Sequence, residues 1–164
     1  MWLSKRRHFL SILAVAALSG CGFTPVYGPD GDGHRLQDAV LAAEPKTRDD
    51  QQLVQQIEAR IGRGANPEFD LTYTFTVQEE RVAVSANNIT TRFNLIGQVD
   101  YALKETVTGI TVTKGTALHF TGYSSSGTTA ATLAAERDAR ARLAVILGDQ
   151  IVAQLLAKAT DLDG

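Results

Sequence analysis

Between Phe69 and Gln78 the chain alternates without a break: Phe69, Leu71, Tyr73, Phe75 and Val77 are apolar, and Asp70, Thr72, Thr74, Thr76 and Gln78 separate them. A period of two is the side-chain period of a β-strand, so the run predicts a strand with one greasy and one polar face. The pattern returns at Phe93, Leu95, Val99, Tyr101 and Leu103, with Arg92, Asn94, Gln98, Asp100 and Lys104 on the other parity and Gly97 thinning the apolar side. Glu79 to Asn88 reads as the turn between them, with Glu79-Glu80 in a solvated loop. After a second turn at 106–109, Ile110 to Tyr123 reads as a further strand. Its buried side is expected to carry Ile110, Val112, Leu118 and Phe120, and a bulge is expected at Lys114-Gly115. Three strands that share one apolar face cannot stand alone and need a cover.

Two segments with helical period supply it. Thr47 can cap a helix, Asp50 three residues later completes a capping box, and Leu53, Val54, Ile57 and Ile61 recur on one side. Gly62 or Gly64 ends that helix. A longer helix is expected over about 129–158, with Thr and Ser residues ahead of it as caps and a stripe of Leu133, Ala141, Ala144, Leu147, Ile151 and Leu155. Glu136 with Arg140 and Asp138 with Arg142 form i, i+4 pairs on its solvated face. Arg35 to Ala43 reads as a first strand, joined by a helical crossover and therefore able to pair in parallel. The order predicts an α+β domain: a four-stranded, mostly antiparallel mixed sheet with two helices packed on one face. The other face keeps its Thr, Asn and Gln for water or a partner.

The amino-terminal residues determine the compartment. Lys5, Arg6 and Arg7 precede an apolar run from Phe9 to Leu18, which is too short to span a bilayer that takes roughly 20 apolar residues. Leu18-Ser19-Gly20-Cys21 resembles the lipobox of bacterial lipoproteins, and Cys21 is the single cysteine of the chain. The lipobox implies cleavage before Cys21, a diacylglyceryl thioether on its sulfur and an acylated amine, which together hold the protein on a membrane. Gly22, not Asp, follows the cysteine, and this implies sorting to the outer membrane, on its periplasmic side. The expected organisation is a signal peptide over 1–20, a lipidated tether over 21–34 and a single α+β domain over 35–164. Phe23, Val26 and Tyr27 stand out in the Pro/Gly-rich tether as residues expected to dock on the domain or its partner. Arg6-Arg7 also resembles a twin-arginine export signal. Removing residues 1–20 takes three of the 16 basic residues and none of the 18 acidic ones, so the mature chain is acidic. No general affinity for nucleic acid is expected of it.

Catalytic constellations are missing from the sequence. His34 and His119 lack partners at metal-ligand spacing, Asp30-Gly31-Asp32-Gly33 lacks the closing acid of a calcium loop, and no nucleophile elbow, zinc-protease or phosphate-loop motif occurs. The expectation is a protein without enzymatic activity, metal or cofactor.

The segment Cys-Gly-Phe-Thr-Pro-Val-Tyr, Cys21 to Tyr27, followed by strand, helix, three strands and a long Ala/Arg-rich helix, resembles the LptE family of lipopolysaccharide-assembly lipoproteins. The resemblance implies a domain that plugs the lumen of the large outer-membrane barrel LptD and assists delivery of lipopolysaccharide to the cell surface. Phosphates on lipopolysaccharide would favour basic side chains on rigid elements. Arg92 and Lys104 on one strand and Lys114 on the next are the candidates, unless they only discourage edge pairing. Two other readings stand beside this one: an auxiliary lipoprotein of an envelope lipid ABC transporter, and a lipid-anchored cell-wall hydrolase.

Overall fold

The computed structural model describes residues 32–84, 90–125 and 127–159. A 3-10 helix, Asp32–Leu36, opens the described chain. Then come β1 (Val40–Ala42), α1 (Arg48–Ile61), β2 (Phe69–Val84), β3 (Thr90–Glu105), β4 (Thr111–Ser124) and α2 (Thr129–Ala157). The sheet order is β1-β2-β3-β4, with β1 parallel to β2 and the other pairs antiparallel. Both helices lie on one face, as the apolar alternation requires.

The capping box of α1 forms as the sequence predicts. The Thr47 side chain accepts from the Asp50 amide at 3.1 Å, and the Asp50 carboxylate accepts from the Thr47 amide at 2.9 Å. Leu53, Val54, Ile57 and Ile61 make the buried stripe. Gly62 ends the helix at φ 79°, a left-handed backbone that costs glycine little. Its missing side chain also leaves room for the Asp38 carboxylate, which a Cβ there would strike.

The first strand is shorter than expected. Residues 32–36 turn into a 3-10 helix with Leu36 fully buried, and Asp38 at φ 54° reverses the chain before Val40 pairs with Phe69. β2 in turn runs into the expected turn as far as Val84, so Glu79 and Glu80 are strand residues, paired with Leu95 and Asn94. Pairing along β3 holds this polar stretch extended, and the Tyr123 hydroxyl donates to Glu79 Oε2 at 2.7 Å.

β4 presents the opposite face to the one expected. Leu103 pairs with Thr113 and Lys104 with Thr111, so the bulge falls at Val112 and not at Lys114-Gly115. From there Gly115, Ala117 and Tyr123 share the helix side, opposite Tyr101, Val99 and Phe93. Small residues are needed at this point, because a Cβ on Gly115 would meet the Tyr101 hydroxyl oxygen at 2.6 Å. Val112 packs against the core, whereas Ile110, Leu118 and Phe120 are exposed.

α2 seats Ala139, Leu143, Ala144, Leu147, Ile151, Val152 and Leu155 on the sheet and on α1. Leu133, expected on this stripe, is exposed. Arg140 does more than the solvated pairing expected of it: it donates to Glu136 Oε1 at 2.9 Å and to Asp49 Oδ2 on α1 at 3.3 Å, tying the two helices together. The Asp138–Arg142 pair also forms. Among the described residues no helix is long and apolar enough to cross a membrane.

Candidate functional site

With both helices on one side, the other face of the sheet has no cover from the described residues. Pairing places Thr72, Thr74, Thr76 and Gln78 of β2 beside Ala102, Asp100, Gln98 and Ile96 of β3, which in turn meet Lys114, Thr116, Leu118 and Phe120 of β4. Several of these hydroxyls are used within the sheet: Thr72 Oγ1 donates to the Ala102 carbonyl at 3.2 Å and Thr76 Oγ1 to the Gln98 carbonyl at 3.4 Å. Thr116 Oγ1 and Gln98 Nε2 donate to the two oxygens of Asp100 at 2.6 and 2.9 Å. Those bonds favour the carboxylate and hold its pKa below the ordinary value. The result is a rigid polar surface with its donors and acceptors already oriented.

One apolar patch interrupts it. Ile96 and Phe120 are cross-strand partners and Leu118 lies next along β4; with Asn94 and His119 they line a shallow depression of about 400 Å³. Phe120 stacks on His119 at 5.9 Å between ring centroids. Among the described residues β4 is also the outer strand of the sheet, so an exposed apolar pair sits on an edge that none of them pairs with, an arrangement that marks a contact surface.

The structure brings two of the three basic residues expected from sequence to one end of this face. Lys114 pairs with Ala102, and Lys104 lies two residues further along β3. Lys104 also borders a groove of about 840 Å³ with Asp70, Thr72, Leu41, Ala42 and Arg63, where β1 stops and leaves the rest of β2, on the side away from β3, without a neighbour among the described residues. Arg92 belongs to the opposite end, twelve residues away on β3, about 40 Å at the usual strand rise. Lys104 and Lys114 therefore share one end of the face, and Arg92 stands apart from them. Cys21, Phe23, Val26 and Tyr27 lie outside the described residues, as does Asp30 of the Asp/Gly run. Among the described residues no group of three or more His, Cys, Asp or Glu is placed to hold a metal.

Sequence reasoning missed the Ile96–Leu118–Phe120 patch. The signal was present in the apolar parity of residues 118 and 120, but the bulge at Val112 decides which face that parity takes.

No protein-family model matches the chain, and no curated protein matches it. Solved structures do. The chain is similar to a protein assigned as a lipoprotein from Caulobacter crescentus CB15, at 26% identity and TM-score 0.63, over 80% of this chain and 96% of that one. It is similar to rare lipoprotein B from Shewanella oneidensis at 12% identity and TM-score 0.58, over 77% of this chain and 98% of the other. A minor lipoprotein from Acinetobacter baumannii matches at 19% identity and TM-score 0.58, over 75% and 94%. The domain therefore has a fold that occurs, almost from end to end, in bacterial lipoproteins.

Proposed function

We propose that this chain is an outer-membrane lipoprotein of lipopolysaccharide assembly, held on the periplasmic side by acyl groups on Cys21. Its domain stands in the lumen of the LptD barrel as a plug, helps the barrel assemble and assists delivery of lipopolysaccharide to the surface. It works by binding and carries out no covalent chemistry. The uncovered outer face of the sheet carries this reading. Strands of 14 to 16 residues give that face a length of about 50 Å, comparable to the full thickness of a bilayer with its headgroups. A long polar face with one apolar patch suits the wall of a polar barrel lumen better than it suits open water. The lipobox, the Cys21–Tyr27 segment and the lipoprotein neighbours support the same reading from outside the sheet. Lys104 and Lys114 are the pair suited to lipopolysaccharide phosphates.

Replacing Gln98, in the middle of the outer face, by a benzophenone amino acid tests this in intact cells. Irradiation is expected to give an adduct with a large outer-membrane barrel. Adducts only with inner-membrane transporter components would overturn the plug reading and favour the transporter lipoprotein.

A further inference from the structure

We propose that the turn between β3 and β4 is a membrane-docking tip, in which Val107 and Ile110 enter the interfacial layer of the bilayer that holds the acylated Cys21. Val107 is 91% exposed and Ile110 64%, the two most exposed large apolar side chains at this end of the domain. Scattered apolar residues on a surface are ordinary. Two of them in a five-residue turn, where polar residues and glycine serve the backbone better, call for a contact.

The turn is built to present them. Gly109 N donates to the Glu105 carbonyl at 2.8 Å, Glu105 N to the Ile110 carbonyl at 2.9 Å, and Ile110 N to Thr108 Oγ1 at 3.2 Å. The Thr108 hydroxyl in turn donates to the Glu105 carboxylate at 2.5 Å. The Thr106, Gly109 and Ile110 amides and the Ile110 carbonyl thus have partners, and the remaining backbone groups of the turn meet the hydrated headgroup region, where water can serve them. The apolar side chains are left outermost.

The tip lies where the tether enters the domain. Thr106 N donates to the Glu68 carbonyl at 2.9 Å and Glu68 N to the Ala39 carbonyl at 2.8 Å, three residues after the 3-10 helix ends at Leu36. From Asp32 back to Cys21 there are eleven residues, which reach at most about 40 Å when fully extended. The lipid thus confines this end of the domain to within about 40 Å of the membrane, a distance over which the turn can reach the surface. Charge agrees with that occupant: Lys158 Nζ donates to the Lys114 carbonyl at 3.2 Å, and Lys104 stands on the neighbouring strand. Lys114 pairs with Ala102 and not with an acid, and it and Lys158 are the charges available to anionic headgroups, whereas Lys104 is opposite Asp70 and the Glu105 carboxylate is engaged by the Thr108 hydroxyl. The proposal rests on lipidation of Cys21 and goes beyond the plug reading, because it describes the lipoprotein in a bilayer without a protein partner.

Trp2 is the single tryptophan of the chain and falls within the signal peptide, so a mature Val107→Trp protein carries one tryptophan. The variant is purified in lipidated form, its acyl groups verified by mass, and placed in vesicles of phosphatidylethanolamine and phosphatidylglycerol with brominated acyl chains. The expected result is a blue-shifted emission quenched about twofold or more, against no quenching for Val82→Trp at the far end of β2. Absence of quenching at position 107, or equal quenching at 82, would overturn the proposal. A blue shift at 107 that grows with protein concentration in detergent would overturn it in favour of a second copy of the chain. A mature mass without acyl groups would overturn the lipid anchor, and the docking tip with it.

Discussion

Gly97 lies flush against Leu143: a methyl group on the glycine would meet Leu143 Cδ2 at 2.8 Å and the neighbouring Leu147 Cδ1 at the same distance. α2 is seated on the sheet where β3 has no side chain. Gly97→Val should therefore destabilise the domain by about 1–3 kcal/mol through overpacking. A urea titration would show it as a lower midpoint with an unchanged slope.

Tyr73, on the same covered face, is a position where a change should help. Its hydroxyl is buried without a hydrogen-bond partner among the described residues, and burial, aided by the negative charge of Asp50, pushes its pKa up to about 12. Tyr73→Phe removes a group that lost its water and gained nothing. The variant should be as stable as the parent or more stable by up to about 1.5 kcal/mol. A loss of stability in thermal unfolding would mean that the hydroxyl has a partner.

Asp149 predicts a pH dependence. The Arg60 guanidinium at 2.7 Å, with Gln56 at 2.8 Å, holds its carboxyl below the ordinary value despite the opposing effect of partial burial. A carboxyl depressed on folding stabilises the folded state above its unfolded pKa, near pH 4, and loses that contribution as pH falls through the lower folded value. Both side chains are more than a third exposed, so screening limits the effect to about 0.5 kcal/mol. Asp149→Asn should cost that amount at pH 7 and almost nothing at pH 2, measured as denaturant midpoints at the two pH values.

The placement of the basic residues separates them functionally. Lys104→Gln with Lys114→Gln should weaken binding of purified lipopolysaccharide severalfold, with thermal stability nearly unchanged. Arg92→Gln, about 40 Å away, should leave the affinity of that site as it was. Equal losses from both changes would show that lipopolysaccharide does not use the Lys104 end alone.

Cys21→Ala should leave an uncut precursor, because both acylation and cleavage depend on the thiol. Mass spectrometry of the membrane fraction checks it. A normally processed, membrane-held product would contradict the lipobox reading.

Much of this fold is legible one residue at a time. The alternation from Phe69 to Val77 and the capping box of Thr47 and Asp50 are local rules obeyed locally, and they locate the sheet, α1 and the covered face. What sequence could not show depends on partners distant in the chain. Glu79 and Glu80 resemble a turn until β3 pairs with them, and Leu118 and Phe120 belong to the core until the bulge at Val112 reverses their direction. Arg140 looks like a solvated helix residue because Asp49, its second partner, is 91 positions away. The candidate site suffered most, since the apolar patch on the outer face is a consequence of β4 register. Parity puts Arg92 and Lys104 on one polar face of β3, but parity alone says nothing of the distance along it.

The most direct test of the central claim is affinity purification of the tagged, lipidated protein from outer membranes in mild detergent, with mass spectrometry of what remains bound. Recovery of the LptD barrel at equal stoichiometry is the predicted result. A stable complex with an inner-membrane transporter in place of the barrel would contradict it.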